Sequence, residues 1–364
     1  MKRNINKLAR SIKRHSQKKE TKEAHINPKD LVPMGSTLVN LAMSDSIEGG
    51  AKKGTMVNVI GASHGGKTIL ALTAFAEANM KASFDNYKFI YDDVERANSF
   101  NMPYLFGDST AKRIHSPRPD KEDRFSITVQ HFQANIKYYT DKGIPFIYVL
   151  DSFDALDALE DQKKTDEMVD AIEKNKKVAG TYGMAKAKAG SIILRSTTNT
   201  LANSKSVLFI VSQVRDNVDP ISFEKETRSG GRALKFYASH EMWMHSIKTI
   251  KRKDTVIGNT VRVRIKKNKL TGKVREVKFD VYYDYGIDDI GSCIDYLIEM
   301  GRWSGGGQAK INHNGDFPFE NCTKSKMIKA IETEGCYKDL QKLVGIEWKK
   351  FEDDLKLNRK TKYK

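Results

Sequence analysis

Eight consecutive residues, Gly61-Ala62-Ser63-His64-Gly65-Gly66-Lys67-Thr68, fit the pattern GxxxxGK[ST]. Glycines at those positions let backbone N–H groups curl around anionic oxygens, a lysine reaches the β and γ phosphates, and a threonine hydroxyl is offered to Mg2+. The motif lies between the apolar run MVNVI and the helix-like stretch KTILALTAFAEANM. A glycine-rich turn ahead of an ordinary helix would share the composition, but here strand, loop and helix agree. ATP and Mg2+ are therefore the expected cofactors. The contacts are expected from Gly61, Ser63, His64, Gly65, Gly66, Lys67, Thr68 and Ile69, with Thr68 on the metal.

Asp151 closes the apolar run Phe146 to Leu150, so its carboxylate emerges at the carboxyl end of a strand, where a metal ion and its waters sit in such folds. It is the second metal-side candidate; capping a helix that begins near Phe153 is the alternative role. Hydrolysis also needs a group to orient the attacking water, and the end of KFIYDDVE supplies Asp92, Asp93 and Glu95. Glu95 is the expected residue, with Asp93 or a merely solvated acidic loop as the competing readings.

These residues need a scaffold of parallel strands. From Gly54 onward TMVNVI, KTILALTAFAEANM, YKFIYD, a helical stretch through Phe132 to Tyr139, and PFIYVLD alternate strand with helix. SVLFIVS adds a buried strand, a polar loop covers 216–230, and alternating segments at 240–248, 261–267 and 274–283 predict antiparallel strands. The fold class is α/β: a P-loop core with a mostly parallel central sheet extended by antiparallel strands. Residues 1–34 form a basic N-terminal arm, 35–286 the core, and 287–364 a small C-terminal α/β domain with helices at 293–300 and 325–334 and a basic tail.

The chain has 364 residues, 39% apolar and 30% charged, which suits a buried core. No window reaches the ~18 continuous apolar residues of a membrane span, and the basic N-terminus lacks a signal peptide's apolar stretch. A cytoplasmic protein without a membrane partner is expected. Its three cysteines show no CxxC pairing, which argues against a disulfide framework or zinc site. Sixty-three Lys and Arg against 46 Asp and Glu give a net charge of +17, and nine of those cations fall in residues 2–22. Such an excess favours a polyanionic partner, with general solubility as the plainer explanation.

GASHGGKT, DVERA, VLDSFDAL, SQVR and GGRALKFYAS occur in the order found in bacterial RecA, and the chain resembles that family from residue 36 to about 303. The resemblance implies a RecA-type core, ATP held between subunits, a helical filament on single-stranded DNA, and pairing and strand exchange with homologous double-stranded DNA. It implies that Glu95 is the catalytic glutamate and that Gln213 senses the γ-phosphate. Lys267 and Lys269, in IKKNK, would reach across to a neighbour's ATP, where positive charge stabilises a developing anion. An exposed basic strand is the alternative for that pair, and Lys235 would share the interface.

The same resemblance assigns DNA contacts to Met184, Lys186, Lys188, Ser191 and Arg195 at the end of the first loop, and to Gly230, Gly231 and Arg232 at the end of the second. Contacts of this kind hold phosphates without reading sequence. The chain departs from the family between Leu159 and Gly183, which is longer and more charged, and at Ser222, Ser99 and Met102, where aromatic or polar residues are usual; a phage-type relative fits these differences. Two other readings share the fold: a hexameric DNA helicase or motor, and a nucleotide-gated DNA-binding scaffold with little turnover. The segment His240-Glu-Met-Trp-Met-His245 does not have the i, i+4 spacing of a zinc helix.

Overall fold

Met56–Gly61 and Phe146–Asp151 read as continuous apolar runs rather than alternating ones, the pattern of strands covered on both faces. All six residues of the first are buried. The computed structural model describes residues 26–121, 124–173, 184–216, 226–228, 231–359 and 362–363. The expectations for residues 1–25, for Gly183, for Ser222 and for Gly230 lie outside the described residues.

The strands are β1 (Leu31–Val32), β2 (Ala51–Lys52), β3 (Met56–Gly61), β4 (Lys88–Asp93), β5 (Ile114–His115) and β6 (Phe146–Asp151). They continue with β7 (Val207–Asp216), β8 (Glu226–Arg228), β9 (His240–Arg252), β10 (Thr255–Asn268), β11 (Arg275–Tyr282) and β12 (Gly286–Asp288). The α-helices are α1 (Thr37–Ser44), α2 (Lys67–Asn79), α3 (Met102–Phe106), α4 (Asp108–Arg113), α5 (Val129–Asp141) and α6 (Leu159–Glu173). After these come α7 (Met184–Ser204), α8 (Gly231–Tyr237), α9 (Asp289–Glu299), α10 (Lys324–Thr333) and α11 (Tyr337–Asp354).

The main sheet runs β12-β11-β10-β9-β3-β7-β6-β4-β5, with β8 paired to β7. From β9 to β5 the neighbours are parallel. From β9 to β12 they are antiparallel. Since parallel strands need crossovers, helices cover both faces and two apolar layers result. One layer joins α1 and α2 to Cys293, Leu297, Trp303, Leu340, Leu343 and Trp348 of the C-terminal stretch. The other packs Val129, Phe132 and Ile136 of α5 and Leu194 and Leu201 of α7 on the opposite face.

Several elements differ from the sequence-based expectation. The strand expected at 240–248 continues to Arg252, and the one expected from 261 begins at Thr255. Past Met244 this ribbon is mostly out of the core, so its outer end has no apolar alternation to mark it. The hairpin turns at Lys253 and Asp254, both with positive φ, 47° and 61°. The helix near Phe153 is a single 3-10 turn, Phe153–Ala155. The charged stretch after Leu159 forms α6, and α11 is a third C-terminal helix beyond the two expected. In β9 the odd spacing puts His240 and His245 on opposite faces of the strand. Among the described residues no group of His, Cys, Asp and Glu could hold a metal as such a cluster.

Candidate nucleotide and DNA site

The parallel strands end together, and that edge carries the site. Gly61 of β3 lies in register with Gln213 of β7, and Asp93 of β4 with Asp151 of β6. A side chain on Gly61 would bring its Cβ to 2.5 Å from the Met244 carbonyl oxygen, and Gly66 has φ 77° as it leads into α2. Only glycine meets both demands without strain.

The Lys67 ammonium is nearly buried and donates to the Ala62 carbonyl oxygen at 2.6 Å, folding back along the loop it belongs to. Burial pulls its pKa down, against the attraction of Asp151, Glu95 and Asp154. The Thr68 hydroxyl donates to Asp151 Oδ2 at 2.6 Å, which joins the two expected metal-side groups. Burial pushes the Asp151 carboxyl up; the Thr68 hydrogen bond opposes this, and Glu95 and Asp93 add to it. A cation in this cleft would relieve both carboxylate repulsion and desolvation, so the donor set fits a hard divalent metal beside a phosphate chain.

The three acids at the end of β4 part company, Asp92 and Asp93 by the period of the strand and Glu95 in the turn beyond it. Asp92 points to the α5 side, where it accepts from the Ser126 N–H at 2.8 Å, the Ser126 hydroxyl at 2.6 Å and the Tyr148 hydroxyl at 2.5 Å. Asp93 lies on the α2 side and accepts from the Asn98 N–H at 3.1 Å. Glu95, in the turn beyond, accepts from the Ser152 hydroxyl at 2.5 Å and from the Gln213 side-chain amide at 3.3 Å. Asp154 in turn accepts from the Gln213 backbone N–H at 2.7 Å. Ser152 and Asp154 were not singled out from the sequence, although both lie in VLDSFDAL directly after Asp151.

A family profile described as RecA N-terminal domain matches residues 1–288. The chain belongs to the RecA family. Protein RecA of Ehrlichia ruminantium is 28% identical over 283 residues, covering 77% of this chain and 71% of the relative. Protein RecA of Acidothermus cellulolyticus is 30% identical over 274 residues, covering 75% and 72%. Protein RecA of Geobacter metallireducens is 27% identical over 288 residues, covering 78% and 77%.

In this RecA-family recombinase Lys267 and Lys269 of IKKNK sit together at the far side of β9. Lys267 Nζ donates to the Lys235 carbonyl and, at 3.0 Å, to the Phe236 carbonyl; Lys269 Nζ reaches the Phe236 carbonyl at 3.3 Å. Both ammonium groups therefore cap the carboxyl end of α8, where the helix dipole is negative. Phe236 is 72% exposed beside them.

The expected DNA residues fall into two groups. Lys188 and Arg195 are exposed on α7 with Ser191 between them, seven residues spanning two turns of one face. Lys186 turns inward, donating to the Asp154 carbonyl at 2.8 Å with its ammonium 5.7 Å from the Phe153 ring centre, and burial lowers its pKa. Lys186 thus links α7 to the residue that holds Gln213. Met184 opens α7 and Gly231 and Arg232 open α8. Among the described residues no helix is long and apolar enough to cross a membrane.

Proposed function

We propose that this chain is a DNA-dependent ATPase that assembles as a helical filament on single-stranded DNA and exchanges its strand with homologous double-stranded DNA. The observation that carries the proposal is the contact of Gln213 with Glu95. It joins the strand leading into the second DNA loop to the glutamate expected to handle the attacking water.

Within this reading the N–H groups of residues 61–69, with Lys67, hold the triphosphate of ATP, and Thr68 and Asp151 hold Mg2+. The metal supplies charge neutralisation at the β and γ phosphates when bound. Glu95 orients a water and accepts its proton as the water oxygen bonds to the γ-phosphorus and the bond to the ADP oxygen breaks. Ser152 and Gln213 fix the carboxylate of Glu95. Lys267 and Lys269 of an adjoining copy add positive charge to the leaving side, as an arginine finger does. Lys188, Ser191, Arg195 and the residues at 230–232 grip DNA phosphates.

Negative-stain imaging with single-stranded DNA and a slowly hydrolysed ATP analogue tests the assembly. Open helical filaments support the proposal. Closed rings favour a motor, and dispersed particles that show no DNA-stimulated phosphate release reject it.

A further inference from the structure

A cavity of about 170 Å³ opens at the ends of β4 and β6, lined by Thr68, Tyr91, Asp93, Glu95, Asn98 and Asp151 among others. Tyr91 and Asn98 have no part in the reading above. Tyr91 is 7% exposed and points to the α2 face, because it shares the strand's two-residue period with Asp93. Its hydroxyl donates to Asp151 Oδ2 at 3.4 Å, the same oxygen that takes the Thr68 hydroxyl at 2.6 Å.

Asn98 is held at both ends of its polar surface. Its backbone N–H donates to Asp93 Oδ2 at 3.1 Å, and its side-chain oxygen accepts from the Phe100 N–H at 2.8 Å. The second bond determines which end of the amide is oxygen. The amide nitrogen is left buried and without an acceptor among the described residues. Asn98 and Tyr91 line the same cavity.

We propose that Asn98 and Tyr91 are positioning residues for the metal-holding pair, acting as a relay from the loop at 98–100 through the phenol to Asp151. A phenolic oxygen has one proton to give and two lone pairs to fill. When the Asn98 amide fills a lone pair, the phenolic proton is directed at Asp151, and each bond polarises the next. Asp151 is then gripped from two sides, by α2 through Thr68 and by β4 through Tyr91, with Oδ1 left for the metal or its water. The unsatisfied amide supplies the driving force, since a buried donor without an acceptor is costly. The relay also couples loop 98–100, which lines the same cavity, to the metal pair.

The inference rests on the proposed nucleotide site and deepens it. The test uses the full chain, a fluorescent ATP analogue, and titration of Mg2+ against a second series in EDTA. Tyr91→Phe is expected to raise the Mg2+ concentration for half-maximal binding about 10-fold, the low end for a residue hydrogen-bonded to a metal ligand. Asn98→Ala moves it in the same direction, and the double variant goes no further than Tyr91→Phe, because both act on one chain of bonds. Binding in EDTA stays at the wild-type value. An unchanged Mg2+ midpoint, additive shifts, or equal weakening with and without Mg2+ overturns the relay while leaving the nucleotide site standing. A wild-type chain that binds no analogue at any Mg2+ concentration overturns both.

Discussion

Gln213 and Glu95 are joined by a 3.3 Å hydrogen bond although their strands, β7 and β4, are separated in the sheet by β6. The bond passes over the end of β6, where Asp151 and Ser152 lie, and Ser152 itself donates to the same glutamate oxygen. Gln213 therefore stands against both Glu95 and Gly61, the first residue of the GxxxxGK[ST] loop.

Glu95→Gln keeps the shape and the neighbours but removes the proton acceptor. Steady-state phosphate release with saturating single-stranded DNA should fall about 10²- to 10⁴-fold. Binding of nucleotide and of DNA should hold, and turnover at the wild-type rate would take Glu95 out of its assigned role.

Gln213→Leu removes the amide donor with little change of volume. The expected outcome is loss of DNA stimulation, measured as the ratio of turnover with and without DNA, at unchanged nucleotide affinity. A ratio equal to that of the unmodified chain would mean that the second loop signals by another route.

Lys188→Ala with Arg195→Ala should lower the slope of log affinity against log salt for single-stranded DNA by about 0.7 for each phosphate that is no longer neutralised. Weakening of the same factor at every salt concentration would assign these residues to something other than phosphate neutralisation.

Glu77 yields a pH prediction. Its carboxyl is pushed up from 4.5 to about 7, mainly by burial, with Asp289 adding and the Lys81 ammonium opposing. A raised folded-state pKa stabilises the fold fully below the ordinary carboxyl value and loses that contribution as the pH rises through about 7. Glu77→Gln has no such loss. In urea unfolding, its stability relative to the wild type should improve by about 2 kcal/mol between about pH 5.5 and pH 8. A difference that does not change with pH would show that Glu77 titrates normally.

Asp92→Leu tests the opposite assignment, a carboxylate used for structure. Ser126 and Tyr148 would lose their acceptor inside the α5 layer, at a cost of about 2–3 kcal/mol. Nucleotide binding by the folded fraction should be unaffected.

The phosphate loop was legible because its requirements are local: glycines where the backbone turns, then a lysine and a threonine at fixed offsets. The parallel order was legible from apolar runs bounded by turns. The acids at the end of β4 were only half legible. Composition does not distinguish Asp92 from Asp93, but the strand period does, and it sends one to each face. The partners of Glu95 were hidden because Ser152 and Gln213 come from chain segments far from DVERA. Alternation placed Lys267 and Lys269 on one face without revealing the α8 carbonyls that receive them, which lie some thirty residues earlier in the chain. A register shift in β10 between Ile265 and Lys267 further loosens any face assignment made from spacing alone. The boundary drawn near residue 286 falls at β12, the strand that closes the sheet and passes directly into α9.

The shared family region stops at residue 288, yet α9 and α11 rest on α1 and β11 in the same apolar layer that carries the phosphate-loop helix. A chain cut at that point would present the undersides of α1 and β11 to water as one continuous oily surface, prone to stick to other molecules. The segment beyond the profile match thus acts as a floor beneath α1 and β11. The helices on the other side of the sheet pack in a separate apolar layer.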